Sequence, residues 1–161
     1  MYRSDGAAAL VGGSGGEARR DTPRRRRWGG VSCARVTPPP SMALLRHELP
    51  DGSWHFDWMF DAGPERAGLV AFRVGERIDA RATGGFDATR LEDHRREYLE
   101  YEGPVSGGRG VVMRMGAGAC EVEEESAGRM VVVVDWGAGP RRWEGRRAGA
   151  TARWRFVEVE G

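Results

Sequence analysis

From residue 42 onward, apolar side chains recur at every second position in short runs, and Gly, Pro or Asp-Gly breaks the runs at regular spacing. That pattern predicts strands, because alternate side chains of a strand point to opposite faces. ALLRHE (43–48) and WHFDWMF (54–60) read as strands joined by LPDGS, with AGLVAFRV (67–74) as a third and ERIDARA (76–82) as a fourth. GVVMRM (110–115), ACEVEEE (119–125), RMVVVVDW (129–136), RRWEGR (141–146) and ARWRFVEV (152–159) follow. One stretch departs from the pattern. DATRLEDHRREYLEYEG (87–103) sets Leu91, His94 and Tyr98 at i, i+3 and i+7, a helical spacing. The expected fold is all-β: a compact, barrel-like antiparallel sheet of about eight short strands with one or two short helical turns.

The first hairpin concentrates the chemistry. In WHFDWMF, the aromatic residues Trp54, Phe56, Trp58 and Phe60 share one face, expected to be core, and His55, Asp57 and Met59 share the other. The Cα atoms of His55 and Asp57 should lie about 6.6 Å apart. Pro50-Asp51-Gly52 suits a three-residue loop with glycine at the left-handed position. A loop centred on Asp51 pairs residues whose numbers sum to 102, which sets His47 opposite His55 with Cβ atoms about 5 Å apart. Two imidazoles and a carboxylate then converge from adjacent strands. Two readings fit this arrangement. One is a three-ligand metal site, whose mixed N/O donors suit Mn²⁺, Zn²⁺ or Fe²⁺ and disfavour Ca²⁺. The other is a histidine pair on a strand face, hydrogen-bonded to Asp57.

Charge and composition divide the chain. Residues 1–40 carry eight arginines against Asp5, Glu17 and Asp21, a balance of +5, and the remainder carries 17 arginines against 21 acids, a balance of −4. The first segment is rich in Gly and Arg, lacks periodicity and closes on TPPPS, so residues 1–41 read as a disordered tail and 42–161 as the domain. A basic arm of this kind fits nucleic-acid contact as well as a solvated tail. Met42 is a plausible translation start. Cys33 and Cys120 form no CxxC and suggest no disulfide framework, no apolar run is long enough for a signal peptide or membrane span, and a reducing, cytoplasmic setting is the expectation.

A second constellation lies in LEDHRREYLEYEGPVSGGRG (91–110). On a helical turn His94 and Tyr98 share a face, and together they could hydrogen-bond a metal-bound phosphate or protonate its leaving oxygen. The glycine-rich GPVSGGRG could present backbone N–H groups to phosphate. EVEEE (121–125) reads as a strand with its acids in water.

Together the two stretches resemble the 3′-phosphoesterase domain of bacterial DNA ligase D and its stand-alone homologues. That family carries a histidine, a short turn and HYDFRLE, where this chain has His47 and HFDWMF; its EDHPLEYLDFEG element is matched by EDHRREYLEYEG (92–103), followed by a Pro/Gly loop and a strand-rich close similar to EGRRAGATARWRFVEV. The likeness spans about residues 42–159. It implies a compact β-barrel that binds Mn²⁺ through His47, His55 and Asp57, with His94 and Tyr98 contacting phosphate and Glu92 in a supporting role. The implied reaction is healing of nucleic-acid 3′ ends: removal of a terminal ribonucleoside to leave a 3′-phosphate, then hydrolysis of that phosphate to a 3′-OH. The substrates would be DNA or DNA/RNA primer 3′ ends, and the partners a DNA ligase, a polymerase or an end-binding protein.

Two departures qualify the likeness. The family's arginine two residues after the aspartate is Met59 here, and a thioether cannot replace a planar fork that grips phosphate. Arg109 is the candidate to compensate, because alternation puts Arg46 on the face opposite His47. The family also uses charged residues from an arm before the first strand, and the Gly/Arg-rich segment here does not align with it. The alternative expectation is a catalytically weakened module of the same fold that binds nucleic-acid ends or a repair protein.

Overall fold

The structure, a computed structural model, describes residues 41–80 and 84–160. Nine strands form one antiparallel sheet: β1 (Met42–Glu48), β2 (Trp54–Phe60), β3 (Val70–Val74), β4 (Phe86–Arg90), β5 (Gly103–Pro104), β6 (Val111–Glu125), β7 (Arg129–Asp135), β8 (Pro140–Arg147) and β9 (Arg153–Glu158). The strand order is β1-β2-β3-β4-β9-β8-β7-β6, and β6 also pairs with β1, so eight strands bond in a ring and β5 adds to the edge of β6. The expected barrel-like all-β fold is therefore what the chain adopts.

Three local expectations are corrected. ERIDARA does not supply the fourth strand: residues 76–80 form bends and turns, and residues 81–83 lie outside the described residues. The fourth strand is FDATR, whose alternating Phe86 and Ala88 face the core while Asp87 and Thr89 take the opposite face. The helical expectation for 87–103 shrinks to a 3-10 turn at Arg96–Leu99. The i, i+3, i+7 spacing straddled a strand end, an extended bridge at His94 and that turn. Finally, GVVMRM and ACEVEEE are one 15-residue strand, β6, which changes partner midway from β1 to β7. The acids of EVEEE are exposed, as expected, and Glu123, Glu124 and Glu125 pair with Arg142, Arg129 and Arg66. The expected tail lies outside the described residues except for Ser41. That residue belongs with the domain: its Oγ accepts from the Cys120 backbone N–H at 2.7 Å and its backbone N–H donates to Gly118.

The ring encloses an aromatic core. Trp58 sits at its centre, with ring centroids of Phe60, Phe72, Phe86 and Phe156 at 4.7, 5.9, 5.8 and 5.4 Å. Burying such side chains stabilises by about 1.5–3 kcal/mol each. Trp54 departs from the expected aromatic face: at the end of β2 it is 50% exposed, and Arg46 lays its guanidinium over the indole at 5.0 Å.

A second, smaller apolar cluster lies on the outside. Ala43 and Leu45 of β1, Met59 of β2, and Leu69, Ala71, Val105 and Val112 are all buried there, with Leu91, Tyr98 and Leu99 packed on them. Segment 91–110 thus lies across the outer faces of β1 and β2 and keeps their apolar end dry. The polar end of those faces, His47, His55 and Asp57, emerges at the margin of that cover. This arrangement positions the site.

Candidate metal centre and its surroundings

The hairpin register is the one the loop chemistry requires. Leu49 and Ser53 close the loop with a backbone bond of 2.8 Å, and Gly52 takes a φ of 83°, a left-handed conformation that favours glycine. His47 pairs with His55 across the ladder, and their rings meet edge to face at 5.0 Å. Asp57 pairs with Leu45 on the same outward face.

The three side chains converge. One donor atom from each of His47, His55 and Asp57 lies within 4.8 Å of the others. His47 Nδ1 stands 3.6 Å from Asp57 Oδ2, and His55 Nε2 stands 3.3 Å from Asp57 Oδ1. Asp57 is only 4% exposed, and among the described residues it is the one charged side chain in the buried class. Yet its Oδ1 and the buried His55 Nε2 make no hydrogen bond, even to each other. Leaving a buried charged acceptor unpaired costs at least 1–3 kcal/mol, roughly. A cation between carboxylate and imidazole satisfies both atoms at once.

His47 is oriented from behind. Its Nε2 lies 2.8 Å from the carbonyl of Arg109. A carbonyl only accepts, so Nε2 carries the proton, and a neutral His47 turns the lone pair of Nδ1 toward Asp57. Histidines that bind metal characteristically donate their other N–H to such a partner. The donor set and its supports therefore fit a divalent transition metal, and the residues that would hold it are His47, His55 and Asp57.

The Arg109 carbonyl is brought there by the glycine-rich loop. Gly110 has a φ of 105°, and a Cβ on it would fall 1.9 Å from the carbonyl oxygen of Glu48. Only a residue without a side chain lets the loop close against the end of β1. The sequence suggested that this loop offers N–H groups to phosphate. Its carbonyl at 109 serves the histidine, a role that side-chain pattern could not signal.

His94 is held by backbone on both sides. Its N–H donates to Leu69 and its carbonyl accepts from Leu69, at 3.0 and 2.7 Å. Its Nδ1 donates to the Glu92 carbonyl at 2.8 Å, which leaves Nε2 as the nitrogen free to take or give a proton. Glu92 enters the site in this way alone. Its side chain is exposed and does not line the cavity, so the supporting acid expected at this position contributes a backbone carbonyl. Tyr98 packs its ring 5.7 Å from His94, and among the described residues its hydroxyl makes no hydrogen bond. The two residues meet without sharing a helix face.

His47, Asp57, His94, Tyr98, Arg109 and Met59 line one cavity of about 80 Å³. The Arg109 guanidinium is tied to its own loop through the Ser106 carbonyl, at 2.9 Å. Met59, 1% exposed, forms part of the apolar floor. His55 lies on the other side of the group, where it lines a larger open cleft. Comparison with known proteins adds nothing to this geometry: no family model matches the chain, and no curated protein matches it.

Proposed function

We propose that this protein is a divalent-metal-dependent phosphoesterase that heals nucleic-acid 3′ ends, removing 3′-terminal ribonucleosides and 3′-phosphates during DNA repair. The observation that supports this most is the convergence of His47, His55 and Asp57 beside a cavity shared with His94, Tyr98 and Arg109. The resemblance of EDHRREYLEYEG to the ligase D phosphoesterase element supplies the substrate class, and Mn²⁺ is the metal it favours. The partners proposed on the same ground are a DNA ligase, a polymerase or an end-binding protein.

When bound, a divalent metal supplies Lewis-acid stabilisation of negative charge on phosphoryl oxygens. The remaining chemistry belongs to the chain. His94, with its proton fixed at Nδ1, uses Nε2 to exchange a proton with a phosphate or leaving oxygen. The unbonded Tyr98 hydroxyl donates to a second oxygen. Arg109 offers the one guanidinium on the cavity wall, where it can bind phosphate by charge-assisted hydrogen bonds. Met59 supplies no charge, which favours a second reading: a module that binds 3′ ends and processes them weakly.

The test uses Mn²⁺ and a labelled primer-template that ends in a single ribonucleotide, with His47→Ala and Asp57→Ala as comparisons. Shortening by the wild type alone supports the enzyme. Binding without shortening favours the module. Neither cleavage nor metal uptake would overturn both.

A further inference from the structure

The cleft on the far side of His55, about 570 Å³, is lined by Arg73, Arg153 and Arg155, with Asp87 as its one acid and Trp54 at its rim. Register explains how the arginines gather. Asp57 pairs with Arg73, Arg73 with Thr89, and Thr89 with Arg153, so one rung crosses β2, β3, β4 and β9 on the outer face. The rung begins at the carboxylate of the candidate metal centre. Arg73 follows it directly, and Arg153 lies two strands further on, about 9.6 Å away at the Cα level.

These two arginines stand apart from the rest. Every other described arginine has a hydrogen bond, an ion pair or an aromatic ring as partner, whereas Arg73 and Arg153 have none for their side chains. Both are exposed, and both open on the same cleft. Arg155 is held only by Asp87, at 3.3 Å, with both side chains more than half exposed, an ion pair of the kind that contributes little. Trp54, the first residue of β2, is 50% exposed, with the Arg46 guanidinium 5.0 Å over one face of its indole. Unpaired guanidiniums beside an exposed aromatic ring are the parts used to hold a single-stranded backbone while a base stacks.

We propose that this cleft is a track for single-stranded nucleic acid, in which Arg73 and Arg153 hold backbone phosphates and Trp54 stacks on a base. The inference rests on the phosphoesterase reading for its choice of ligand, and it adds where the strand runs. The track lies past His55 along the rung and takes an unpaired stretch of the bound nucleic acid, while the 3′ end to be processed belongs to the cavity at His94. Phosphate and stacking contacts do not read the sugar, so DNA and RNA strands of one sequence bind alike.

The test is equilibrium binding of the full chain to a 5′-labelled 12-nucleotide strand in chelator, so that no chemistry takes part. The probes are the DNA strand, the same strand as RNA, and a glutamate-rich peptide. The variants are Arg73→Gln/Arg153→Gln, Trp54→Ala, and Arg142→Gln/Arg146→Gln as an equal change of charge elsewhere. All are surface substitutions, and circular dichroism confirms their folding. The cleft double variant is expected to bind DNA and RNA at least tenfold more weakly, with a shallower dependence of affinity on salt by about 1.4 in log–log slope. Trp54→Ala is expected to lose about fivefold or more, and the control double variant should stay near wild type.

Equal losses in the two double variants would overturn the track, as would a peptide that binds as tightly as the strand with the same arginine dependence. The outcome is separable from that of the phosphoesterase assay. Strand binding that depends on Arg73 and Arg153, without any cleavage, would keep the track and reject the enzyme. Cleavage with unchanged strand affinity in the cleft variant would keep the enzyme and reject the track.

Discussion

The two faces of β2 follow opposite rules. Inward, Phe56, Trp58 and Phe60 are buried among other aromatic rings, and their one polar side-chain atom, the Trp58 indole N–H, is a neutral donor left without a partner. Outward, Asp57 is buried and His55 half-buried, and the unpaired atoms there include a carboxylate oxygen as well as an imidazole nitrogen. One strand therefore carries the stability of the barrel on one side and an unbalanced polar group on the other. The inner face depends on volume and the outer face on the identity of single atoms. Substitutions on the two faces should consequently separate stability from binding.

The largest effect expected is on the inner side. Trp58→Ala removes the ring that touches Phe60, Phe72, Phe86 and Phe156, and it should cost about 3–5 kcal/mol in denaturant unfolding. Asp57→Asn, at the neighbouring residue, should leave metal-free stability unchanged or raise it. It removes a buried carboxylate whose Oδ1 has no donor, while Mn²⁺ uptake should be lost in titration calorimetry. If Asp57→Asn instead unfolded the protein as Trp58→Ala does, the outer face would be ordinary core and the comparison would collapse.

Met59 tests where the two rules meet. It is buried in the outer apolar cluster, yet it also borders the cavity with His94 and Arg109. Met59→Arg should raise 3′-phosphatase turnover about tenfold to a hundredfold, the worth of one charge-assisted contact. The same change should lower the melting temperature, since its stem and charge enter a dry layer of Ala43, Leu45 and Leu69. Unchanged turnover would mean that Arg109 already grips the phosphate.

Much of this was legible in sequence because the signals were local. The alternation of WHFDWMF and the Pro50-Asp51-Gly52 loop suffice to set His47 against His55, since loop geometry alone determines the register of a hairpin. What escaped was set by distant partners. FDATR has the composition of a turn and becomes a strand because β3 and β9 flank it. Trp54 belongs by alternation to the core face but lies beyond the end of the barrel. The Arg109 and Glu92 carbonyls that orient His47 and His94 are backbone atoms, invisible to any reading of side-chain types. The unpaired state of Arg73 and Arg153 is likewise a fact of three-dimensional neighbours.

That backbone support can be removed without touching a ligand. Gly110→Ala brings a Cβ against the Glu48 carbonyl and must displace the loop that holds His47. Mn²⁺ affinity should fall about tenfold to a hundredfold. Gly107→Ala is the control. It shares the left-handed strain, with a φ of 78°, but its Cβ would meet nothing closer than Arg109 Nε at 4.0 Å. It should therefore lose stability while keeping metal affinity. Equal affinities in the two variants would detach the His47–Arg109 bond from any role in metal binding.

The smallest effect concerns the cover over the outer face. Arg96, in the 3-10 turn, reaches Asp61 just beyond β2, with Nη2 3.0 Å from Oδ1. Hydrogen bonding from Arg96 holds the Asp61 carboxyl below its ordinary 3.8, against the opposing effect of burial and with help from the Gly63 N–H. A carboxyl whose pKa is lower folded than unfolded binds fewer protons in the folded state. Its contribution is therefore whole above pH 3.8 and fades as pH falls below it. Acid should loosen segment 91–110 before the aromatic core, since exposed pairs contribute little and the core contains no titrating group. The near-ultraviolet signal of Tyr98 and Tyr101, or amide exchange at His94, should change at a higher pH than the unfolding of the strands. Asp61→Asn should abolish that early step. If it persisted unchanged in the variant, the cover would be held by the pairs of Asp93 with Arg66 and Arg90 and by its apolar contacts to Leu45 and Met59 rather than by the Asp61–Arg96 pair.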